Sequence, residues 1–346
     1  MARKASLTNK NYNNIKNWEE ITHTYKGIKN NTMYPAFVNI CRKTQEELKE
    51  ILPVKLLENG YDDIVVGDGY IYAKGTIPVL LTAHMDTVHS IPVIDYYEDV
   101  DEEGNHILRS PQGIGGDDRC GIYMILEIIK THKCSVLFCE DEEIGGVGSS
   151  KFCVTDLINE LSELNFLIEL DRANRNDAVF YDCNNSEFTD FICKTTGYKE
   201  TWGSFSDISW LCPRCKIAGV NLSCGYYYAH TTMEEVVVEE MLNTIEVVKK
   251  LLDTESVQYE YIEYKWDYRA YDDYDYYGRA CKNYYGYSKG IHEWSDVCMS
   301  ITWEENGQEK EDIFTGYDEN DCLVLFFQNN PNVSWNQVLD YEYNYL

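Results

Sequence analysis

The sequence predicts an α/β fold, a mixed and mostly parallel central sheet flanked by helices, followed by an acidic, tyrosine-rich α+β region. Three observations carry that prediction. Short apolar runs alternate with helical patterns up to about residue 254, the signature of strands linked by helices. Histidines and carboxylates stand where those apolar runs end, which is where ligands gather in open α/β sheets. Composition then changes near Leu252: the stretch from Glu255 to Leu346 holds 19 Asp+Glu, 6 Lys+Arg and 15 of the 29 tyrosines.

Residues 1–34 form a polar, mildly basic arm (Arg3, Lys4, Lys10, Lys16, Lys26, Lys29) with no apolar segment leading to a small-residue cleavage site, so we expect no secretion signal. Residues 35–254 form the principal domain. Its helices are expected at Thr44 to Glu58, Gly121 to Thr131, Ser149 to Leu161 and Met233 to Leu252. In the last, Val236, Val237, Met241, Thr244, Ile245, Val248 and Leu251 repeat at helical spacing. Strands are expected at Ile64 to Val66, Ile71 to Ala73, Val79 to Ala83, Ser135 to Cys139, Phe166 to Leu170, Ala178 to Tyr181 and Ile217 to Leu222. In the third region, 255–346, Cys298 to Trp303 and Asp321 to Gln328 read as strands, and Asn306-Gly307 as a turn. With no Gly/Ser or Pro linker between them, the two parts are expected to pack together.

Charge and composition exclude several roles. The 346 residues carry a formal charge of −29, and 44% are hydrophobic. That balance supplies no positive footprint for nucleic acid, and it disfavours acidic substrates unless a bound cation inverts the local field. No apolar stretch approaches the about 20 residues of a membrane span, so a soluble chain without a membrane partner is expected. Thirteen cysteines, odd in number and often inside apolar runs, suggest reduced thiols and a cytoplasmic location.

The chemistry sits at the strand ends. Val79 to Ala83 runs into His84-Met85-Asp86, putting an imidazole and a carboxylate on one face of extended chain. Ser135 to Cys139 runs into Glu140-Asp141-Glu142-Glu143, and Phe166 to Leu170 runs into Asp171. Gly113 to Asp118 opens a helix, and His230 lies in a loop. Each element alone has an ordinary explanation: capping for Asp117 and Asp118, a hydrogen-bonded strand end for His84, a solvated loop for the glutamates. Together they assemble imidazole and carboxylate ligands on one edge, a set that suits zinc or a similar ion. Two histidines and three or four carboxylates exceed one tetrahedral site and fit two ions with a bridging carboxylate.

The ordered stretches Leu80 to Val88, Gly115 to Gly121, Asp141 to Gly145, Glu169 to Asp171 and Ala229 to Glu234 resemble the co-catalytic di-zinc exopeptidases, the group of peptidase T and the bacterial and glutamyl aminopeptidases. The resemblance spans about Thr44 to Leu252. It implies that His84 and Asp171 hold one zinc, Glu143 and His230 the other, and that Asp117 bridges; cobalt or manganese would suit the same ligands. It further implies that Asp86 orients His84, that Glu142 is the general base acting on a metal-bridged water, and that the Asp117-Asp118 bond is cis. Ser206-Asp207 resembles the substrate-side loop of the family. The activity implied is hydrolysis of short peptides, as an aminopeptidase or a di- or tripeptidase, with deacylation of N-acyl amino acids as the alternative. An inactive interaction module on the same fold is the reading from another class.

Asp171 and His230 stand only 59 positions apart, so no lid insertion fits between them, and the tyrosine-rich region has no counterpart in the family. Its role, the oligomeric state and the side-chain preference are open. Cys212-Pro213-Arg214-Cys215 lacks the second pair a structural zinc site needs. His23, His89, His106, His132 and His292 read as ordinary surface or loop residues. Tyr226 to Tyr228 either line the pocket or pack the loop.

Overall fold

A computed structural model describes residues 34–101, 103–263, 297–305, 307–316, 322–323, 325–326, 330, 333 and 337–345. The chain opens with α1 (Pro35–Cys41), α2 (Gln45–Glu58), β1 (Ile64–Val66), β2 (Tyr70–Ala73), β3 (Ile77–His84), β4 (Tyr97–Val100) and β5 (His106–Arg109). It continues through α3 (Gly116–Ile128), β6 (Cys134–Cys139), α4 (Val147–Phe152), α5 (Ile158–Leu161), β7 (Phe166–Arg172), β8 (Asp177–Val179), α6 (Ser186–Thr196), β9 (Lys199–Thr201) and α7 (Asp207–Cys215). The main body closes with β10 (Gly219–Ser223), β11 (Tyr226–Tyr227), β12 (Glu235–Val237) and α8 (Val238–Asp253); β13 (Val297–Glu305), β14 (Gln308–Gly316) and β15 (Val338–Tyr345) follow.

The central sheet has the order β1-β2-β6-β3-β7-β10-β8-β9. Strand β3 runs parallel to both β6 and β7, and β7 parallel to β10, while β1, β2 and β8 join antiparallel. The sheet is therefore mixed with a parallel centre. Side chains of a strand alternate between faces, and the two cores divide accordingly. Leu81, Val136 and Ile168 face a core shared with α1, α2, α3, α6 and α8. Leu80, Leu137 and Leu167 face a second core built on α4, α5 and α7. Burial on both faces is why these runs are continuously apolar rather than alternating.

Helix α2 begins at Thr44, whose hydroxyl accepts from Glu47 N while the Glu47 carboxylate accepts from Thr44 N, a reciprocal cap. Helix α8 buries Met241, Ile245, Val248 and Leu251, each contributing about 1.5–3 kcal/mol by leaving water. Smaller antiparallel sheets complete the structure, with orders β11-β12-β5-β4 and β14-β13-β15. No helix among the described residues is long and apolar enough to cross a membrane, and no disulfide joins the described cysteines.

Several local expectations need correction. Val236 and Val237 belong to β12, not to the following helix, because pairing with β5 claims their backbone before α8 starts at Val238. The expected helix Ser149 to Leu161 is two short helices separated at Cys153 to Leu157. The described part of 321–328, namely Cys322, Leu323, Leu325 and Phe326, is helical rather than extended; it packs on one face of the C-terminal sheet. Helices α1, α6 and α7 and strands β4 and β5 escaped the sequence reading. The turn at Gly307 does join β13 to β14.

Residues 255–263 lie along the main body. Ala218 N donates to Tyr259 O, Tyr261 N to Lys216 O, and the Asn165 amide to Ser256 Oγ. Tyr259 stacks on Phe191 and meets Phe166 and Phe188. The Tyr268 to Tyr287 run, His23 and His292 lie outside the described residues.

Candidate metal centre

The parallel centre of the sheet fixes the site, since β3, β6 and β7 all end on one edge. His84 is the last residue of β3, Asp171 stands near the end of β7, and Glu142 and Glu143 follow β6. Asp117 and Asp118 open α3, and their peptide bond is cis. His230 comes from the loop between β11 and β12.

At the centre lies the Asp117 carboxylate. Its Oδ1 is 2.9 Å from His84 Nε2 and its Oδ2 is 3.2 Å from His230 Nε2, so one carboxylate spans two imidazoles. Asp171 Oδ1 is 3.4 Å from His84 Nε2, and Glu143 Oε2 is 3.0 Å from His230 Nε2. Each imidazole thus meets the shared Asp117 and one carboxylate of its own. Two overlapping groups, His84–Asp117–Glu143 and His84–Asp118–Asp171, each gather ligand atoms within 4.8 Å of one another.

The tautomer of His84 follows from its other nitrogen. Nδ1 lies 3.1 Å from Asp86 Oδ1. A carboxylate can only accept, so Nδ1 carries the hydrogen and Nε2 turns a lone pair toward two more acceptors. Such an arrangement requires a cation between them, a proton or a metal ion. Burial alone would lower the His84 pKa, yet its contacts with Asp117, Asp171 and Asp86 hold it well above the ordinary value. His230 is likewise raised, by Glu143 and Asp117 against the effect of burial.

The carboxylates divide: against burial, the bonds from His230 and His84 hold Asp117 well below the ordinary carboxylate value, while the acids around it are raised. Burial, reinforced by the charge of Asp117, lifts Asp171 to about 7. Burial also raises Glu143, with Asp117 adding to it, and puts Glu142 well above the ordinary carboxylate value, helped by Asp171, Asp207 and Glu143. Glu143 Oε1 is buried without a hydrogen-bond partner. So many acids with so few cations are costly to bury, and divalent ions would reverse that cost. The donor set and the orphaned oxygen fit a pair of such ions.

A surrounding frame holds these groups. Asp86 accepts from the main-chain N–H of both Glu142 and Glu143, fixing that turn as well as His84. Asp118 is not available as a ligand in the same way, because its oxygens accept from His84 N and Gly121 N. Ser206 donates to Asp171 Oδ2, and Asn221 Oδ1 accepts from Asp171 N. Asp207, beside it, is fully buried at the start of α7, where Glu169 accepts from its N–H. Buried Arg119 donates to the carbonyls of Met85, Asp86 and Lys43, tying the end of β3 to the α1–α2 connection. A cleft of about 290 Å³, bordered by Thr44, Thr87 and Ile114, touches this frame at Asp86 and Arg119.

Sequence reasoning assigned no role to Glu234. It is fully buried and accepts from Gly115 N at 2.7 Å, from Asp117 N at 3.0 Å and from His89 Nε2 at 2.9 Å. His89 is thereby a mostly buried member of the frame rather than a surface residue. Glu169 also lacked a role. Tyr226 packs in the core and donates to Asp171 O, whereas Tyr228 is exposed. Cys212 and Cys215 are both buried in α7, and burial raises both thiols.

Among solved structures, the chain is similar to the aminopeptidase PepT of Bacillus cereus ATCC 10987, at 14% identity over 63% of this chain and 96% of that one, TM-score 0.49. It is also similar to a tripeptidase of Staphylococcus aureus, at 14% identity over 62% and 95%, TM-score 0.49. An aminopeptidase of the archaeon Desulfurococcus kamchatkensis aligns at 11% identity over 64% and 95%, TM-score 0.46. No protein-family model matches the chain, and no curated protein is similar to it.

Proposed function

We propose that this protein is a metal-dependent peptidase that hydrolyses short peptides, as an aminopeptidase or a di- or tripeptidase. The observation that carries the reading is the Asp117 carboxylate set between His84 and His230, with Asp171 and Glu143 completing the two ends. The resemblance of the surrounding motifs to di-zinc exopeptidases supports it. Two divalent ions held by these five residues, zinc or in its place cobalt or manganese, would supply Lewis acidity at the scissile carbonyl and lower the pKa of a water.

The protein's own groups divide the remaining work. Asp86 keeps His84 in the tautomer that presents Nε2, and through the N–H groups of Glu142 and Glu143 it sets where those two side chains start. Glu143 is directed to His230, leaving Glu142 as the adjacent carboxylate with no ligand role. Its raised proton affinity suits a general base that takes a proton from the attacking water and returns it to the departing amine. Ser206 holds Asp171 in orientation.

Replacing Glu142 by Ala tests this division. Turnover of a small free-amine peptide panel should fall by about 10²–10⁴ while metal analysis still finds two ions per chain; retained turnover removes Glu142 from the role. On the wild type, cleavage should be chelator-sensitive. Cleavage confined to N-acyl substrates would make the protein a deacylase, and bound ions without any hydrolysis would make it a binding module.

A further inference from the structure

The C-terminal sheet reaches the site. The Tyr341 hydroxyl of β15 donates to the main-chain carbonyl of His230 at 3.1 Å, across 111 residues of sequence. We propose that Tyr341 is a positioning residue for the metal pair, so that the tyrosine-rich C-terminal region completes the site instead of merely following it. The inference rests on His230 being a metal ligand, as proposed above.

The His230 loop needs such a support. His230 has φ +62° and Tyr228 φ +57°, left-handed conformations that residues with a side chain occupy sparsely and keep only where the surroundings impose them. Thr231 Oγ1 bonds Tyr228 O and Met233 N, and buried Glu234 secures the far end of the loop. Tyr341 adds a hold at His230 itself. Its hydroxyl is well placed to do so, because Tyr341 pairs with Ile301 in β13 and packs against a small core of Met299, Ile301, Trp303 and Phe326. The carbonyl it grips belongs to the residue whose imidazole meets Asp117 and Glu143, and partners of this kind tune a ligand's orientation and hence metal affinity.

The test uses the full chain, stripped of metal and titrated with Zn²⁺, as wild type, Tyr341→Phe and Leu339→Ala. Leu339 is an exposed residue of the same strand and serves as control. Tyr341→Phe should keep two sites but weaken one of them about three- to tenfold, the size of one net hydrogen bond, and shift the visible spectrum of the Co²⁺-loaded protein. Leu339→Ala should match wild type. Unchanged affinities in Tyr341→Phe, or equal weakening of both sites together with a lower melting temperature of the metal-free protein, would overturn the proposal. A wild type that takes up no ion would overturn the metal reading itself, and the inference with it. A measurement on wild type alone gives a second check: by reciprocity, loading Zn²⁺ should slow amide exchange in 338–345 as well as in 226–234. Slowing confined to the loop counts against Tyr341.

Discussion

Glu234 shows how a single side chain sets the geometry of the site without facing it. Both of its oxygens are committed, one to Asp117 N and the other to Gly115 N and His89. A glutamine at this position would keep one accepting oxygen and turn an amine toward a buried N–H, a mismatch worth about 2 kcal/mol. Glu234→Gln should therefore lower the melting temperature and loosen metal binding, with the loss smaller if His89 is replaced as well. Sequence reasoning recognised the residues that meet across the cluster because all but His230 follow an apolar run or a glycine turn, and His230 stood in a motif that resembled the family's. It did not find Glu234, since Glu234 and Glu235 are adjacent and chemically identical; only the pairing of β12 with β5 decides that one is buried while the other meets Arg109 on the surface. His89 escaped for the same reason, its partner being 145 residues away.

Among the elements, α3 is the least forgiving. A Cβ added at Gly121 would sit 2.0 Å from Leu170 O and 2.5 Å from Asp118 Oδ1, so the helix touches β7 backbone where Asp117 and Asp171 must meet. Gly121→Ala should destabilise by several kcal/mol, roughly the upper range of single substitutions, or prevent folding, as thermal melting or expression would show. A milder linkage joins β5 to α8, where His106 N and Nδ1 both lie 2.6 Å from the Glu239 carboxylate. Hydrogen bonding to Glu239 raises the His106 pKa; burial acts to raise Glu239, but the bonds from His106 Nδ1 and N, with that from its own main-chain N–H and the His106 charge, together outweigh burial and lower it. A raised histidine stabilises below its ordinary pKa and loses that contribution as pH rises through the folded value. A lowered carboxylate stabilises above its ordinary pKa and loses it as pH falls. The stability gap between wild type and His106→Gln should thus be widest between about pH 4.3 and 6.5, and narrow above that range in denaturant titrations. Element types were legible where a run was long and continuously apolar. Short pieces such as β5 and β12 were not, because neighbouring chain rather than local pattern settles them.

For the molecule as a whole, composition points to a boundary near residue 254, yet residues 255–263 are bonded to the segment leading into β10, to the turn before β7 and to the loop before α6. We expect a chain ending at Glu263 to retain the melting temperature of the α/β body, and one ending at Asp253 to melt lower, because removing Tyr259 uncovers Phe166, Phe188 and Phe191. Equal melting of the two would return the boundary to 254. Strand β3, hydrogen-bonded on both sides by β6 and β7, has one more consequence. The groups of the candidate centre come from strands far apart in the sequence, so no short segment can prefigure it. Pairings of that kind form late in folding, after the cost of closing long loops has been met. The centre should then emerge as the middle of the sheet assembles, and a nascent chain should remain unable to hold the pair of ions until the loop bearing His230 has left the ribosome.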